Sequence, residues 1–549
     1  MKTHSSIQYI FSLLMATSLL GLVLLFDSCA STGELLAGPK DTTPPGLDSV
    51  LSAPNYQTRF TKQDIVLVFD EFVVVKDAFK QVLVSPPLVY LPKVTGRGKK
   101  VTFAFHEDEV LRPDVTYTIN FGESIVDFRE GNKLKNFGFV FSTGDVLDSL
   151  SLEGTVYDAK TLQPAENVQI LVYDRWFDSI VVKERPYYTV KTDKNGQFTC
   201  RNIKADTFAV LALMDNNVNL RYDLETEKIA FLDSLVILTD TFKKPLTFYI
   251  STPLAKPKLL VKNTKIRGFM ELIYNRLPDT FNLAVSDPGI TLYQEKKADT
   301  LNLYYTSGSD SFDLYILNDT IRVKQPGKET LSKLPKFAVK SHNLSPNLLL
   351  ADSLQLTFST PVQEGELDSV VVSDTIGIMD DISFSWSANR KNLFVKGKWR
   401  PNMPYTIQLD SAIMKDLYNR ALDSAGYSFS FLSADKTSGL SLIFEKFDSL
   451  KHYHILVYRG NVLMDSFSFS DSGTITKNYK VIVPDVYTIE VIQDENQNGR
   501  WDPADYWNKK QPEKMKTVKT ERLEVNRVND FRVVWTEDSS TPALPSTKK

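Results

Sequence analysis

Residues 111–145, LRPDVTYTINFGESIVDFREGNKLKNFGFVFSTGD, decide how this chain folds, because they carry two strand patterns and recur later in the sequence. The runs VTYTINFG and FGFVFSTGD place β-branched and aromatic residues at alternate positions, which is typical of strands with one buried face. Similar runs, such as DIVLVFDEF and KKVTFAFHE, continue after Pro44 and are separated by Gly, Pro, Asn or Asp. The sequence therefore predicts an all-β chain built as a tandem array of small β-sandwiches.

An internal repeat shows how the array is organised. The opening segment returns as WRPNMPYTIQLDSAIMKDLYNRALDSAGYSFSFLSAD at residues 399–435, so that Arg112 aligns with Arg400, an offset of 400 − 112 = 288. A second motif, MDNNVNLRYD at 214–223, returns as QDENQNGRWD at 493–502, an offset of 494 − 215 = 279. Two unrelated motifs that repeat in one order at nearly one offset indicate a duplicated pair of domains, A–B–middle–A′–B′.

The chain of 549 residues is too long for one hydrophobic core. The repeat and the composition predict the following division: a signal peptide at 1–28, a flexible tether at 29–43, domain A at 44–146, domain B at 147–245, an all-β middle domain at 246–335, domain A′ at 336–435, domain B′ at 436–537 and a disordered tail at 538–549.

The N-terminal segment indicates export. An apolar run from Ile7 to Phe26 follows Lys2 and ends shortly before Cys29. This is the pattern of a secretory signal, and an uncleaved anchor is the alternative because the run approaches the ~20 residues that span a bilayer. The sequence FDSC resembles the cleavage site of bacterial lipoproteins. That resemblance implies that Cys29 carries lipid, palmitate included, and anchors the mature chain to the outer membrane, on either its periplasmic or its surface face.

Domains A and A′ resemble the bacterial Ig-like domains of S-layer and cell-envelope proteins. The resemblance lies in a Pro-x-x-x-Tyr-Thr strand followed by an Asp and an Asn, which here are Asp127 with Asn132 and Asp416 with Asn419. Domain B, with its run LEGTVYDAKTLQPAENVQILVYD, resembles the carboxypeptidase-regulatory-like or Cna-B-type sandwich, which has a transthyretin-like fold. Together with the lipoprotein signal and the GPKDTTPP spacer, these domains resemble envelope lipoproteins of Bacteroidota.

One loop of B′ has the spacing of a calcium site. Its oxygen-bearing residues stand at positions 1, 3, 5, 9 and 12 of an EF-hand-like loop, with Gly499 at position 6 and a backbone carbonyl at position 7. The predicted ligands of Ca²⁺ are Asp494, Asn496, Asn498, Arg500, Asp502 and Asp505. The alternative is a loop whose Asx side chains bond its own backbone. The earlier copy, with Leu220 in place of the Gly, is interpreted mainly as such a structural loop.

The same loop ends in RWDPADYW, where Trp501, Tyr506 and Trp507 crowd a polar segment. These rings are the predicted contact surface for a partner or a sugar, and packing in a core or turn is the alternative.

A third pattern is the tripeptide Asp–Ser/Thr–aliphatic, which recurs along the chain. It resembles the O-glycosylation acceptor of exported Bacteroidota proteins, and Asp-Ser turn chemistry is the equal alternative.

Composition and motifs narrow the function. The net charge of −3 gives no support for nucleic-acid binding. No G-x-S-x-G, P-loop, H-E-x-x-H or C-x-x-C motif occurs, and His452 and His454 are interpreted as a surface pair, so no enzyme is predicted. The sequence favours a non-catalytic outer-membrane lipoprotein that binds envelope or outer-membrane β-barrel proteins, for example as an accessory subunit of an assembly or secretion machine. The alternative is a surface glycan-binding or adhesive lipoprotein.

Overall fold

The computed structural model describes residues 41–535, with the exceptions of 136, 224, 280–281, 317–318, 346–347, 351–352, 364–369, 411–412 and 424. The predicted signal peptide, Cys29, most of the tether and the predicted tail lie outside the described residues. The chain divides into two compact units, one of residues 1–84 with 88–147 and the other of residues 85–87 with 148–549. The finer division into five folded domains stays a prediction. Among the described residues, no helix is both long and apolar enough to cross a membrane.

The all-β prediction is confirmed, because the described residues form 37 strands and only two α-helices of four residues each. The helices are α1 (Ala78–Gln81) and α2 (Ile180–Lys183). Two 3₁₀ helices lie at Lys328–Lys333 and Ala434–Lys436.

The first unit is a sandwich of short antiparallel sheets. Its strands are β1 (Ile65–Val68), β2 (Val73–Val75), β3 (Leu83–Ser85), β4 (Lys93–Arg97), β5 (Lys100–Ala104), β6 (Thr116–Asn120), β7 (Ile125–Asp127) and β8 (Gly138–Ser142). The sheets are β1-β5-β4, β3-β6-β8 and the pair β2-β7. The two strand patterns of the opening stretch become β6 and β8, which pair antiparallel with Tyr117 opposite Phe141. Their rings stack at 5.2 Å in the core.

The Pro-x-x-x-Tyr-Thr motif ties a strand to the loop before it. The Tyr117 hydroxyl accepts the backbone N–H of Arg112 at 2.9 Å, and in A′ Tyr405 accepts that of Arg400 at 2.8 Å. This bond is the kind that fixes a tyrosine corner in Ig-like sandwiches. The motif Asp closes a turn in the same way: the Asp127 carboxylate accepts N–H groups of residues 129, 130 and 132. Burial would raise the pKa of Asp127, but these N–H bonds hold it below its usual value.

The second unit begins with domain B. Its strands are β9 (Leu150–Asp158), β10 (Gln169–Tyr173), β11 (Tyr188–Lys191), β12 (Gln197–Ile203), β13 (Asp206–Leu213), β14 (Ile229–Phe231), β15 (Val236–Leu238) and β16 (Leu246–Ile250). They form the sheets β12-β9-β16 and β11-β10-β13-β14, with β15 beside β13. The last strand, β16, runs parallel to β9 and buries Leu246, Phe248 and Ile250 in the core of B. The strand β16, which follows the boundary predicted at residue 245, thus belongs to the same sheet as β9.

The described residues of domain B′ repeat this topology in seven strands, without a counterpart of β15. Its strands are β31 (Ser438–Glu445), β32 (Tyr453–Arg459), β33 (Val462–Phe469), β34 (Ile475–Ile482), β35 (Tyr487–Gln493), β36 (Met515–Lys519) and β37 (Val528–Val534). The sheets are β34-β31-β37 and β33-β32-β35-β36, and the last strand again runs parallel to the first. The duplication that the sequence predicts for B and B′ thus holds at the level of strand order.

The middle domain and A′ lie between these copies in sequence. The middle strands are β17 (Leu259–Ile266), β18 (Phe269–Tyr274), β19 (Leu283–Val285), β20 (Thr291–Lys297), β21 (Thr300–Thr306), β22 (Ser311–Ile316) and β23 (Asp319–Lys324). Those of A′ are β24 (Val339–His342), β25 (Leu354–Phe358), β26 (Val370–Ser373), β27 (Ile382–Trp386), β28 (Asn392–Gly397), β29 (Tyr405–Leu409) and β30 (Ala425–Phe429). The middle sheets are β17-β18-β21-β20 and β19-β22-β23, and those of A′ are β24-β25-β28-β27 and β26-β29-β30. In A′, β25-β28-β27 and β26-β29-β30 match β1-β5-β4 and β3-β6-β8 of the first unit.

Three Asp–Ser/Thr–aliphatic tripeptides form Asx turns. The side chains of Asp48, Asp374 and Asp448 each accept the N–H group two residues ahead, at 3.0, 2.7 and 2.9 Å. The Asp-Ser turn chemistry, one of the two interpretations of this pattern, is therefore present at these sites. Modification stays a prediction, and Ser369, Ser411 and Ser424 lie outside the described residues.

Candidate functional site

The calcium candidates and the aromatic candidates lie in one segment of B′, residues 494–513. This segment leaves the sheet after β35, which ends at Gln493, and returns to it just before β36, which begins at Met515. It is the long connection of the domain. Hydrogen bonds within the segment hold its first part, residues 494–502, from which Arg500 also reaches the middle domain, and its second part contacts domain B.

The first half is a loop held by its own Asx side chains. Asp494 is fully buried, and its two carboxylate oxygens accept the backbone N–H groups of Asn498 at 3.1 Å and Gly499 at 2.8 Å. Gly499 takes the left-handed conformation with φ of 74°, which allows the turn at this point. Asp502 accepts the side-chain amides of Asn496 and of Asn498, the latter at 2.7 Å. These are the bonds that the structural interpretation of the loop requires.

Asp505, the ligand predicted at position 12 of the loop, forms other bonds. Its carboxylate accepts the backbone and side-chain N–H groups of Asn508, at 3.1 and 2.7 Å. The acidic group that instead completes the loop is Glu513, whose carboxylate accepts the N–H groups of Glu495 at 2.9 Å and Asp502 at 3.0 Å. Burial raises the pKa of Glu513 to about 7; the charges of Asp502 and Asp494 add to this rise, and the two N–H bonds oppose it only in part.

The earlier copy of the loop in domain B has the same bonds. Asp215 accepts the N–H groups of Asn219 and Leu220, at 3.2 and 2.8 Å. Glu227 accepts those of Asn216 and Asp223, at 3.2 and 3.3 Å. Leu220, with φ of 60°, takes the left-handed conformation that Gly499 takes in B′. The fold is thus maintained in both copies by internal hydrogen bonds.

The two acidic residues that sequence reasoning missed share a local signal. Glu227-Lys228-Ile229 and Glu513-Lys514-Met515 each place a Glu two residues before the strand that follows the loop. Because the loop in B′ is longer, the second Glu does not fall at a fixed offset from the first aspartate. Within the described part of the chain, no three His, Cys, Asp or Glu side chains are grouped as a metal site. Calcium binding at Asp494–Asp505 stays a prediction.

The second half of the segment, residues 503–511, is named the strap because it joins B′ to domain B. Tyr506 is only 1% exposed and lies in a hydrophobic cluster with Leu171, Leu211 and Phe231 of B. Its ring meets that of Phe231 edge-on at 5.6 Å. Its hydroxyl donates to the backbone oxygen of Asp178 at 3.0 Å. The ring predicted to meet a partner therefore packs within the chain.

Backbone and amide bonds fix the two ends of the strap. The N–H of Ala504 donates to the Ser251 hydroxyl at 2.9 Å. The Gln511 side chain donates to the backbone oxygen of Phe231 at 3.0 Å and to the Asp233 carboxylate at 2.7 Å.

Arg500 connects the same segment to the middle domain. Its guanidinium forms two bonds to the Asp279 carboxylate, one of them at 3.0 Å, and a third to Asp502 at 3.1 Å. Hydrogen bonding and charge from Arg500 hold the pKa of Asp279 below its usual value. Arg500 thus contributes its charged side chain to an interface, whereas the calcium prediction used only its carbonyl.

The two tryptophans have different environments. The indole N–H of Trp501 donates to the backbone oxygen of Glu513 at 2.6 Å, and the ring is half-buried. Trp507 is 54% exposed, with the Tyr222 ring at 6.4 Å. It borders a cleft of about 1250 Å³ where B, the middle domain and B′ meet. Of the three predicted contact rings, only Trp507 keeps a large free surface.

Comparison with known proteins supports the Ig-like interpretation of the first unit. A family model described as bacterial Ig-like domain matches residues 41–143. No curated protein matches the chain in sequence.

Solved structures give only distant likenesses. Native alpha-2-macroglobulin from Escherichia coli, domains MG0-NIE-MG1, is 13% identical with a TM-score of 0.17 and covers 33% of this chain and 71% of its own. Domains 1–6 of the surface layer protein SbsC are 11% identical with a TM-score of 0.16, over 67% of this chain and 64% of that one. The BSP domain of a biofilm-associated protein is 9% identical with a TM-score of 0.14, over 82% and 94%. Values this low carry no argument about function.

Proposed function

We propose that the chain is a non-catalytic envelope lipoprotein, anchored to the outer membrane through Cys29, that serves as a rigid scaffold for other envelope proteins. Its first unit supplies a bacterial Ig-like domain, and B and B′ are transthyretin-like sandwiches. A β-barrel of an outer-membrane assembly or secretion machine is the class of partner that we favour.

The strap is the observation that carries this proposal. Neighbouring domains of one chain ordinarily move relative to each other unless a substantial interface holds them. Here a ring from B′ is buried in the face of B, and both ends of the strap are bonded. A surface composed of several domains is then fixed before any partner arrives, and such preorganisation lowers the entropic cost of binding.

The interface between A′ and the middle domain also supports a rigid scaffold. Lys391 of A′ is 3% exposed, and its ammonium donates to Glu295 at 2.7 Å and to the Tyr304 hydroxyl at 3.1 Å, both in the middle domain. The hydroxyl of Tyr418 donates to the backbone oxygen of Gly268 at 2.6 Å. A buried charge pair is sensitive to geometry, because either charge left alone is destabilising. Domains that moved independently of one another would not require such contacts.

The test is to purify the intact protein from its native outer membrane in mild detergent and identify its companions. We expect one or more integral membrane proteins in fixed ratio to the chain. We expect Tyr506→Ala, which releases the strap, to reduce their recovery, and the neighbouring Trp507→Ala to leave it unchanged. Recovery of the wild-type chain alone at full yield would contradict the scaffold proposal.

Glycan binding is the second candidate, and Trp507 favours it. An exposed indole beside a polar cleft is the arrangement that stacks on sugar rings. The measurement is the affinity of the chain for envelope polysaccharide, which Trp507→Ala should lower about tenfold, roughly 1.4 kcal/mol. Trp501→Phe is the control, since that indole bonds Glu513 within the segment. Equal affinity for wild type and Trp507→Ala would exclude this site.

A further inference from the structure

We propose that one end of the first unit, formed by Phe72, Phe128 and the β4–β5 turn at residues 97–100, rests on the surface of a phospholipid bilayer. We name this surface the aromatic end. The inference deepens the anchoring part of the proposed function and rests on it for the distance argument below, but the contact itself depends only on described residues.

The two phenylalanines lie side by side and are exposed. Phe72 is 59% and Phe128 69% exposed, which folding of the sandwich does not require. They precede and follow the paired strands β2 and β7, and the N–H of Phe128 donates to the backbone oxygen of Phe72 at 2.9 Å. The N–H of Val73 donates to the oxygen of Gly98, and a Cβ on Gly98 would lie 3.9 Å from the Phe72 ring. Both rings therefore belong to the end of the sandwich that bears the β4–β5 turn.

Charged side chains of both signs lie next to these rings in the sequence and in the adjoining turn. Arg97, Lys99 and Lys100 in the turn and Arg129 beside Phe128 are all exposed. Five carboxylates lie at the same end: Asp41, Asp70, Glu71, Asp127 and Glu130. Asp70 accepts the N–H of Gly46 at 2.8 Å, and Asp127 accepts the N–H groups of its own turn. Lys99 donates to the backbone oxygen of Asp70, so the contact with lipid depends mainly on the two rings, with Arg97, Lys100 and Arg129 beside them. Aromatic rings flanked by Lys and Arg are the combination that binds bilayer interfaces, because the rings enter the headgroup region while the cations meet lipid phosphates.

The first described residues of the chain also join the sandwich at the aromatic end. The Asn132 side chain donates to the backbone oxygen of Asp41, the first described residue, at 2.9 Å. Asn132 follows Phe128 by 132 − 128 = 4 residues. Cys29 precedes Asp41 by 41 − 29 = 12 residues, which span at most about 40 Å when fully extended. Lipid on Cys29 would hold the aromatic end within that distance of the bilayer, where weak contact becomes effective through high local concentration. This continuity argues for a membrane as the occupant in preference to a soluble protein.

The chain offers a selective labelling test. Cys200 is buried at 5% exposure, so Phe72→Cys introduces one reactive thiol into the acylated protein. The labelled full-length protein is placed in vesicles of phosphatidylethanolamine and phosphatidylglycerol that contain a quencher on the acyl chain. We expect quenching at position 72 to be at least about twofold stronger than at Val110→Cys. Val110 is 80% exposed and follows β5 at the opposite end of the same sandwich, which makes it a matched control.

A second measurement separates this contact from the anchor. In a chain with Cys29→Ser, Phe72→Ser with Phe128→Ser should lower affinity for the same vesicles at least about tenfold, and Leu91→Ser with Val110→Ser should leave it unchanged. Protein that stays on vesicles through its lipid but shows equal quenching at 72 and 110 would overturn the contact and leave the anchor intact. Release of wild-type protein from membranes, with a free thiol at Cys29, would overturn the anchor alone. The affinity of the Cys29→Ser chains for added vesicles would still decide the contact.

Discussion

At the scale of single residues, the repeated motifs act through hydrogen bonds that their side chains form to nearby backbone. Tyr117 and Tyr405 occupy equivalent positions in A and A′ and accept the N–H five residues earlier. Glu513 and Glu227 each accept two N–H groups of the loop before them. Such residues are retained in both copies because a buried donor left without an acceptor is costly.

Tyr405→Phe tests the motif tyrosine. The substitution keeps the ring in the core of A′ but removes the acceptor for Arg400, so we expect a loss of about 1 kcal/mol in the free energy of unfolding. Urea unfolding followed by intrinsic fluorescence measures it. Tyr90→Phe, at a 42% exposed position, is the control and should change stability by less than about 0.5 kcal/mol. Equal stability of both variants would show that the hydroxyl bond does not stabilise the fold.

The raised pKa of Glu513 predicts that the free energy of unfolding depends on pH. Its pKa is about 7 in the folded chain against 4.5 for the ordinary group, so the folded state binds the proton more tightly. The stabilisation is fully present below about pH 4.5 and is lost as pH rises through about 7. Complete linkage would amount to about 3 kcal/mol for this carboxyl, which is 7% exposed, and this value is the upper bound of the decline. Glu513→Gln should flatten the decline of unfolding free energy between pH 5 and 8; an unchanged slope would remove Glu513 as its source.

At the scale of elements, the copies B and B′ share strand order but differ in the outward face of one sheet. Ala209 and Leu211 on β13 align with Thr488 and Glu490 on β35, at the offset of 279. The strap packs on the apolar face of B, whereas the equivalent face of B′ is polar. The interface between B and B′ therefore joins two different surfaces. A strap from another copy of the chain would find no matching apolar face on B′.

The strap should decide whether B and B′ unfold together. Tyr506→Ala empties a buried position, and the loss of a buried ring costs on the order of 3 kcal/mol. We expect calorimetry to resolve an additional transition and hydrogen exchange to accelerate in β13 and β14. Trp507→Ala, next in sequence but 54% exposed, should leave both unchanged. Identical exchange in wild type and Tyr506→Ala would mean that the strap does not couple the domains.

At the scale of the whole chain, buried polar contacts hold the middle domain to A′. Burial would raise the pKa of Glu295, but hydrogen bonding and charge from Lys391 lower it overall. Burial lowers the pKa of Lys391, and the hydrogen bond and charge of Glu295 oppose that shift. The two side chains pair within a largely enclosed interface, where removal of one partner leaves the other uncompensated.

Lys391→Met measures that contribution. It removes the ammonium and leaves the Glu295 carboxylate unpaired, so we expect a loss of about 3 kcal/mol in unfolding free energy. Lys398→Met is the matched control, because Lys398 pairs with Asp381 but its side chain is 85% exposed. An exposed pair contributes less than about 1 kcal/mol. Denaturant unfolding of both variants measures these losses. Equal losses of unfolding free energy in Lys391→Met and Lys398→Met would contradict a larger contribution from the buried pair.

The sequence by itself determined the all-β class, the positions of strands such as β6 and β8, and the duplication that B and B′ display in their topology. It could do so because alternation reports which face of a strand is buried, and this is a local property. The sequence also indicated the Asx loop as an alternative, since the bonds of Asp494 and Asp502 join residues within 494–502.

Only the tertiary structure decided what the candidate site does with its side chains. Tyr506 reads locally as a ring in a polar loop, yet its ring meets that of Phe231, which lies 506 − 231 = 275 residues earlier. Glu513 replaces Asp505 at the calcium-like loop because the segment returns to a strand, whereas the EF-hand spacing assumes that a helix follows. Whether a loop ring faces water or another domain depends on a distant apolar face, and no local pattern records which face that is.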